Sequence, residues 1–312
     1  MNINIYLTFL LAFLVTNLYS QNEKAVTLKT STGYIEGSLM LPVKNLSNSV
    51  ALLISGSGPT DRDGNNMGMT NNSIKMVAVE LSKNGIASIR YDKRGIGKSR
   101  DAGPKEADLR FENYIDDAKG WIAFLKSELK YKNIVVIGHS EGSLIGMVAS
   151  QDKNVNKFVS LAGAGQAADK ILREQLKNQP PSVTIQVNAI LDDMVKGKMV
   201  ENTPAELNSL FRKSVQPYMI SWIKYDPQKE IAKLKIPILL IQGSTDIQVS
   251  IDDAKRLSKA QPKAKLAIIE GMNHILKTAP LDRQMNISTY TQPDLPIKKE
   301  LIKSVVSFIS DK

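Results

Sequence analysis

Short apolar runs alternate along this chain with longer segments in which apolar residues recur at helical spacing. Apolar runs of about four to eight residues between turn residues are typical of buried strands. Val26 to Pro42, with a turn at Thr32-Gly33, predicts an opening hairpin. Strands alternating with helices predict an α/β fold with a mostly parallel sheet. Further strands are expected near Val50, Ile86, Asn133, Lys157, Ile236 and Ala264.

The clearest helix is predicted from Phe111 to Leu129. Its apolar residues follow the i, i+3, i+4 spacing of an amphipathic helix, so we expect it to cover one face of the sheet. Trp121 lies on this stripe and is therefore interpreted as a core residue. The stripe consists of Phe111, Tyr114, Ile115, Ala118, Trp121, Ile122 and Leu125.

No strand is predicted between Gly165 and Lys235. A loop of that length without secondary structure is implausible in a compact domain. Two segments, Ala168 to Asn178 and Val187 to Val200, have helical period. We therefore predict a helical lid at about residues 166–232, inserted after the sixth strand.

The first twenty residues contain no charged side chain, and most of Ile3 to Leu18 is apolar. This stretch is shorter than the about 20 residues of a membrane-spanning helix. Leu18-Tyr19-Ser20 resembles a cleavage site, so residues 1–20 are predicted to be a signal peptide and residues 21–312 the exported domain, periplasmic or secreted. An uncleaved membrane anchor stays open, because the leader lacks lysine and arginine. The chain has no cysteine and hence no disulfide.

The strongest chemical motif is Gly138-His139-Ser140-Glu141-Gly142. It follows the predicted strand Asn133 to Ile137 and precedes an apolar, small-residue segment, Leu144 to Ala149. Gly-x-Ser-x-Gly between a strand and a helix is the nucleophile elbow, a strained turn that exposes the serine oxygen. Ser140 is therefore the candidate nucleophile.

A serine hydroxyl needs a base to take its proton and an acid to orient that base. The chain has two histidines, His139 and His274. The residue before an elbow serine is expected to point away from the active face. His274 is therefore the candidate base.

The acid is expected between Ser140 and His274, since a nucleophile-elbow fold orders its triad Ser, Asp/Glu, His. Asp246 comes just after the predicted strand Ile236 to Ile241, and His274 just after Ala264 to Glu270. Both would lie at the same edge of a parallel sheet as Ser140. Three rivals lie before that strand or in the following helix: Asp226, Asp252 and Asp253.

Together with two loop segments, these motifs resemble the α/β-hydrolase superfamily, and within it the bacterial esterases and serine aminopeptidase-like hydrolases. The loop segments are 53–65 and 90–99, and the similarity spans nearly all of residues 21–312. The resemblance implies an α/β-hydrolase fold: a mostly parallel eight-stranded sheet, helices on both faces and a helical lid.

The resemblance also implies an oxyanion hole, in which backbone NH groups stabilise the charge that develops on the carbonyl oxygen. One donor should be the NH of Glu141, the residue after the nucleophile, and the other the NH of Ser57 or a neighbour. The family often has His-Gly in this loop, whereas this chain has Ser55-Gly56. The choice between Gly56, Ser57 and Gly58 therefore stays open.

The function implied is hydrolysis of small-molecule carboxylic esters through an acyl-enzyme intermediate. A small aminopeptidase or amidase with the same triad is the first alternative, because ester and amide hydrolysis share their tetrahedral intermediate. A non-catalytic binding protein with the hydrolase fold is the second.

No cofactor or metal is predicted. Gly97-Lys98-Ser99 lacks the first glycine of a phosphate-binding loop, and Asp61-x-Asp63-x-Asn65 lacks the glycine and glutamate of a calcium loop. Without cysteine a zinc site is disfavoured. The net charge of +10 reflects an excess of lysine and arginine, but the lysines are scattered over predicted helices and are not concentrated with aromatic residues as a nucleic-acid site would require.

Overall fold

The computed structural model describes residues 22–44, 48–103 and 105–311. The predicted signal peptide, residues 1–20, lies outside these ranges. Within them, no helix is both long enough and apolar enough to cross a membrane.

A sheet of eight strands forms the centre of the described chain, as predicted. Its order is β1-β2-β4-β3-β5-β6-β7-β8. The opening hairpin is antiparallel and joins β4 in an antiparallel pair, whereas the remaining pairs are parallel. The strands are β1 (Glu23–Thr30), β2 (Gly33–Met40), β3 (Ser49–Ile54), β4 (Ala87–Tyr91), β5 (Asn133–His139), β6 (Val155–Leu161), β7 (Ile238–Gly243) and β8 (Lys265–Ile269).

Helices cover both faces of this sheet. The helices are α1 (Ser73–Lys83), α2 (Phe111–Ser127), α3 (Glu141–Ala149), α4 (Ala168–Leu176), α5 (Pro181–Val195), α6 (Asn208–Phe211), α7 (Gln216–Ile223), α8 (Pro227–Ala232), α9 (Ile251–Ala260), α10 (Arg283–Ser288) and α11 (Lys299–Ser310). Short 3₁₀ turns occupy Gly97–Ala102, Glu106–Asp108, Ala205–Leu207 and Thr289–Thr291.

The two faces carry separate hydrophobic cores, because successive residues of a strand point to opposite sides. In β5, Ile134 and Val136 join the core beneath α2 and α3. Val135 and Ile137 join the other core, beneath α1 and α11. Trp121 of α2 is fully buried in the first core, which confirms its interpretation as a core residue.

The segment between β6 and β7 is helical, as predicted, and contains α4 to α8. Its second helix spans Pro181–Val195, so the predicted bounds of Val187 to Val200 are wrong. Proline suits the first position of a helix because the missing NH is not needed there. At the other end, Gly197 has a φ of 78°, which places it beyond the helix. Whether this insertion acts as a lid stays a prediction.

Candidate active site

The turn between β5 and α3 holds Ser140 in a strained backbone conformation, with φ 54° and ψ −120°. Only glycine fits two positions before and two positions after the serine. A Cβ atom at Gly138 would lie 2.1 Å from the carbonyl oxygen of Gly142, and one at Gly142 would lie 2.3 Å from that of Ile54. The Ser140 NH donates to the Leu161 carbonyl at 2.9 Å, which ties the turn to β6. The sequence pattern therefore forms the predicted elbow.

Ser140, His274 and Asp246 come together at the carboxyl edge of the parallel strands, although they follow three different strands. His274 Nε2 lies 3.0 Å from Ser140 Oγ, and His274 Nδ1 lies 2.8 Å from Asp246 Oδ2. The side chains of His274 and Asp246 are 6% and 0% exposed. The three residues form one hydrogen-bonded chain that ends on the serine hydroxyl.

The carboxylate of Asp246 is held by its own loop. Its Oδ1 accepts the backbone NH groups of Gln248 and Val249 at 2.8 and 2.9 Å, and Gln242 Nε2 donates to Oδ2 at 3.0 Å. Burial alone would raise the pKa of Asp246, but the charge and hydrogen bond of His274 and the two backbone donors outweigh it. The pKa therefore lies below its usual value, and Asp246 is a carboxylate at neutral pH.

The three rival aspartates have other partners. Asp226 accepts the NH of Gln228 and caps α8. Asp253 forms a capping box with Ser250 at the start of α9. Asp252 is exposed on the same helix and pairs with a neighbouring lysine. Within the described part of the chain, none of these three aspartates forms a hydrogen bond or ion pair with His274.

His139 lies beside His274, so the expectation that its side chain points away from the site is wrong. The two ring centroids are 4.9 Å apart, and His139 Nε2 lies 2.8 Å from the backbone oxygen of His274. Gly56 leaves room for this ring, since a Cβ atom there would lie 3.2 Å from His139 Nδ1. His139 thus holds the backbone of the candidate base.

The titration of His139 gives a testable pH dependence of stability. Burial, and next the charge of His274, lower the pKa of His139 from 6.5 to about 4. Between these values the unfolded chain binds a proton that the folded chain does not, so stability is lost as the pH falls through this window. From pH 7 to pH 5 we expect this residue to reduce the free energy of unfolding by about 2 kcal/mol.

His139→Gln is the matched variant, because its amide nitrogen can still donate to the His274 carbonyl but does not titrate. Denaturant unfolding of both proteins at pH 7 and pH 5 should show a smaller pH dependence for the variant. Equal pH dependence would rule out the buried, neutral imidazole.

The two residues expected to supply the oxyanion donors line the same cavity as Ser140. Glu141 is the first residue of α3, so its NH has no partner within the helix. Ser57 follows β3 and lines the same cavities as Ser140. The Ser57 carbonyl accepts the hydroxyl of Thr60 at 2.9 Å, which folds the loop back on itself.

Ser140 lies between two cavities and lines both. The smaller, about 70 Å³, has a wall of mixed polarity that includes Thr60, Asn71 and Tyr290. The larger, about 520 Å³, extends beneath the insertion. The larger apolar side chains that the insertion contributes to it are Ile171, Leu172, Leu210, Val215, Met219 and Trp222. A wider groove of about 930 Å³ between α1 and α11 contains none of the candidate site residues.

No group of three or more His, Cys, Asp or Glu side chains able to hold a metal occurs in the described part of the chain. The carboxylate of Asp61, in the calcium-like sequence, instead accepts the NH groups of Asp63 and Asn65 at 2.9 Å. Asp63 pairs with the buried Arg90. These aspartates therefore have partners of their own within the loop and sheet.

The strand order, the elbow and the position of the site define an α/β hydrolase. The family model described as "Serine aminopeptidase, S33" matches residues 66–278, and the chain belongs to this family. The sequence is 27% identical over 271 residues to the esterase EstD of Thermotoga maritima, which covers 82% of this chain. The chain spans about 60% of the length of that relative.

Solved structures show the same fold at low sequence identity. Est1E from Butyrivibrio proteoclasticus, solved with ferulic acid bound, superposes with a TM-score of 0.62 at 19% identity, over 92% of this chain and 100% of that one. The esterase Pf2001 of Pyrococcus furiosus gives 0.58 at 19% identity, over 92% and 89%. These similarities support the α/β-hydrolase fold.

Proposed function

We propose that this protein is a serine hydrolase of carboxylic esters, with Ser140 as nucleophile, His274 as base and Asp246 as the acid that orients the base. The observation that carries the proposal is the hydrogen-bonded chain from Asp246 through His274 to Ser140 Oγ, which opens on a cavity of about 520 Å³. Similarity to proteins named as esterases agrees with it.

In the proposed reaction, Ser140 Oγ attacks the ester carbonyl carbon while His274 Nε2 takes the hydroxyl proton. The Nδ1–H group of His274 donates a hydrogen bond to Asp246, which stabilises the imidazolium that forms. The NH groups of Glu141 and Ser57 donate to the anionic carbonyl oxygen. When the tetrahedral intermediate collapses, the proton passes to the leaving alcohol. Water then repeats these steps on the acyl-enzyme and releases the acid.

The charges of the cavity walls favour esters over aminopeptidase substrates. A free α-ammonium group that leaves water needs a carboxylate partner. Among the described residues that line the two cavities, the acidic side chain is Glu141, and it faces Lys93 at 3.6 Å. Amide hydrolysis stays the alternative because the same three residues would perform it.

We propose residues 166–232 as the lid that selects the acyl or alcohol group, because their apolar side chains form much of the larger cavity. Acyl esters of increasing chain length should be compared with acetylated and feruloylated sugars and with aminoacyl anilides. We expect kcat/KM for the best ester to exceed that for the best aminoacyl anilide by at least about 100-fold. The reverse order would favour an aminopeptidase, and no turnover of any of them would favour a binding protein.

Export is a further part of the proposal, with residues 1–20 removed before Gln21. Cleavage there would leave the sheet intact, since the Asn22 carbonyl accepts the NH of Leu41 at 2.7 Å and β1 begins at Glu23. The amino-terminal sequence of the protein from the producing cell's exported fraction should begin at Gln21. An intact leader found in the membrane fraction would favour the anchor instead.

A further inference from the structure

A buried lysine lies directly behind the proposed oxyanion hole. Lys93 follows β4 and is 1% exposed. Its Nζ donates to the carbonyl oxygen of Gly56 at 2.6 Å and lies 3.6 Å from Glu141 Oε1. The ammonium also lies over the ring of Tyr114, 5.1 Å from its centroid. Removing an ammonium group from water is unfavourable by several kcal/mol, so these contacts must compensate for it.

Both polar partners of Lys93 belong to the proposed oxyanion donors. The Gly56 carbonyl is in the same peptide unit as the Ser57 NH, because the peptide bond joins the two residues in one plane. The other partner is the side chain of Glu141, whose own backbone NH is the second donor. A single ammonium group therefore connects the loop after β3 with the first residue of α3.

This arrangement has two physical consequences. A hydrogen bond to one end of a peptide fixes the plane of that peptide, so Lys93 sets the direction in which the Ser57 NH points. A cation at the carbonyl end also polarises the peptide and makes its NH a stronger donor, as in chains of hydrogen bonds in a low-dielectric interior. Fixed and polarised donors are what transition-state stabilisation requires.

We propose that Lys93 is a positioning residue of the oxyanion hole, which orients and polarises the Gly56–Ser57 peptide and is held in place by Glu141. The inference rests on the proposed function, because an oxyanion develops only if Ser140 attacks a carbonyl group. Lys93 itself touches neither the substrate nor the reacting atoms.

The surroundings of Glu141 agree with this role. Burial lowers the pKa of Lys93, and the charge and side chain of Glu141 oppose that effect. Burial first, and then the charge of Glu141, raise the pKa of Tyr218 well above its usual value. Tyr218 belongs to α7 of the insertion, and Glu141 and Tyr218 line the same cavity.

Two variants at position 93 test the proposal. Lys93→Met removes both the charge and the donor, and Lys93→Gln keeps a neutral donor. The measurements are kcat and KM on the best ester, the melting temperature, and the affinity for an alkyl boronic acid, whose tetrahedral, negatively charged adduct with serine places a hydroxyl oxygen in the oxyanion hole. Enzyme concentrations are taken from end-point titration with a fluorophosphonate, so that only folded sites are counted.

We expect Lys93→Met to lower kcat by about 10- to 100-fold. This is a smaller effect than removing an oxyanion donor outright, which lowers kcat by about 100- to 1000-fold. Boronate affinity should fall by a similar factor, while KM changes by less than about threefold. Lys93→Gln should be intermediate on both scales. If Lys93→Met does not fold, Lys93→Gln alone still tests the proposal, because we expect parallel losses in kcat and boronate affinity.

Arg94→Met is the matched control. Arg94 is the next residue and forms a buried ion pair with Asp117, which lies on α2 outside both cavities. This control should lower the melting temperature and leave kcat and boronate affinity unchanged. Wild-type values of kcat and boronate affinity in both Lys93 variants would overturn the proposal, as would equal losses in the control.

The reaction with the fluorophosphonate distinguishes failure of the positioning role from failure of the proposed function. A wild-type protein that reacts with the fluorophosphonate at Ser140, beside Lys93 variants that match it, would overturn the positioning role alone. A folded wild type that does not react would overturn both.

Discussion

Replacing Ser140 by alanine is expected to lower kcat for ester hydrolysis by about 10⁴- to 10⁶-fold. The hydroxyl is the proposed nucleophile, and no acyl-enzyme can form without it. The backbone of the elbow should be preserved, because its hydrogen bonds to Leu161 and Ser143 involve main-chain atoms. Steady-state kinetics on the best ester, with circular dichroism to monitor folding, would measure the effect.

Ser143→Ala is the matched control for this loss. Its hydroxyl is buried on α3, three residues after Ser140, and hydrogen-bonds to the hydroxyl of Ser160 at 2.7 Å. We expect kcat within a few-fold of wild type, with some loss of stability. Activity that survives in Ser140→Ala but disappears in Ser143→Ala would contradict the assignment of the nucleophile.

Asp246→Asn should lower kcat by about 10⁴-fold while the fold stays intact. The amide group would favour the wrong tautomer of His274 and could not stabilise its positive charge. Its oxygen could still accept the NH groups of Gln248 and Val249, so the loop should retain its shape. The rate on the best ester and the melting temperature, measured together, separate the two effects.

Asp226, one of the three rival acids, provides the comparison. Asp226→Asn changes the cap of α8 and should leave kcat within a few-fold of wild type. If Asp226→Asn lost activity and Asp246→Asn kept it, the orienting role would move to the other carboxylate. If both kept it, no triad of the proposed kind would operate.

The sheet and the residues at its edge could be predicted because they depend on local patterns. An apolar run followed by a loop marks the carboxyl end of a parallel strand. Ser140, Asp246 and His274 each follow such a run, and the parallel arrangement then brings them to one edge. The three residues therefore come together although they lie far apart in sequence.

Features that depend on tertiary contacts were missed. His139 was expected to point away from the site, but the space beside Gly56 admits its ring next to His274. That space depends on a loop more than eighty residues away in sequence. The helix at Pro181–Val195 is a different case, because the proline at its start is a local signal that precedes the apolar periodicity beginning at Val187.

The buried pair of Lys93 and Glu141 gave no signal in the sequence either. Lysine and glutamate are usually solvated, so neither residue suggests burial when it is considered alone. Lys93 stands in a loop after β4 and Glu141 at the start of α3, and only the parallel order of β4, β3 and β5 brings them together. A charged residue next to a nucleophile is thus a reason to look for a buried partner.

The most direct test of the central claim is covalent labelling with a fluorophosphonate, mapped by mass spectrometry. The proposed triad predicts a single adduct on Ser140 in the wild type and no adduct in Ser140→Ala. In His274→Ala the labelling rate should fall by orders of magnitude, because the other histidine, His139, is hydrogen-bonded to the backbone of residue 274. A folded wild type that is labelled on another residue, or a His274→Ala variant that is labelled at the wild-type rate, would contradict the claim.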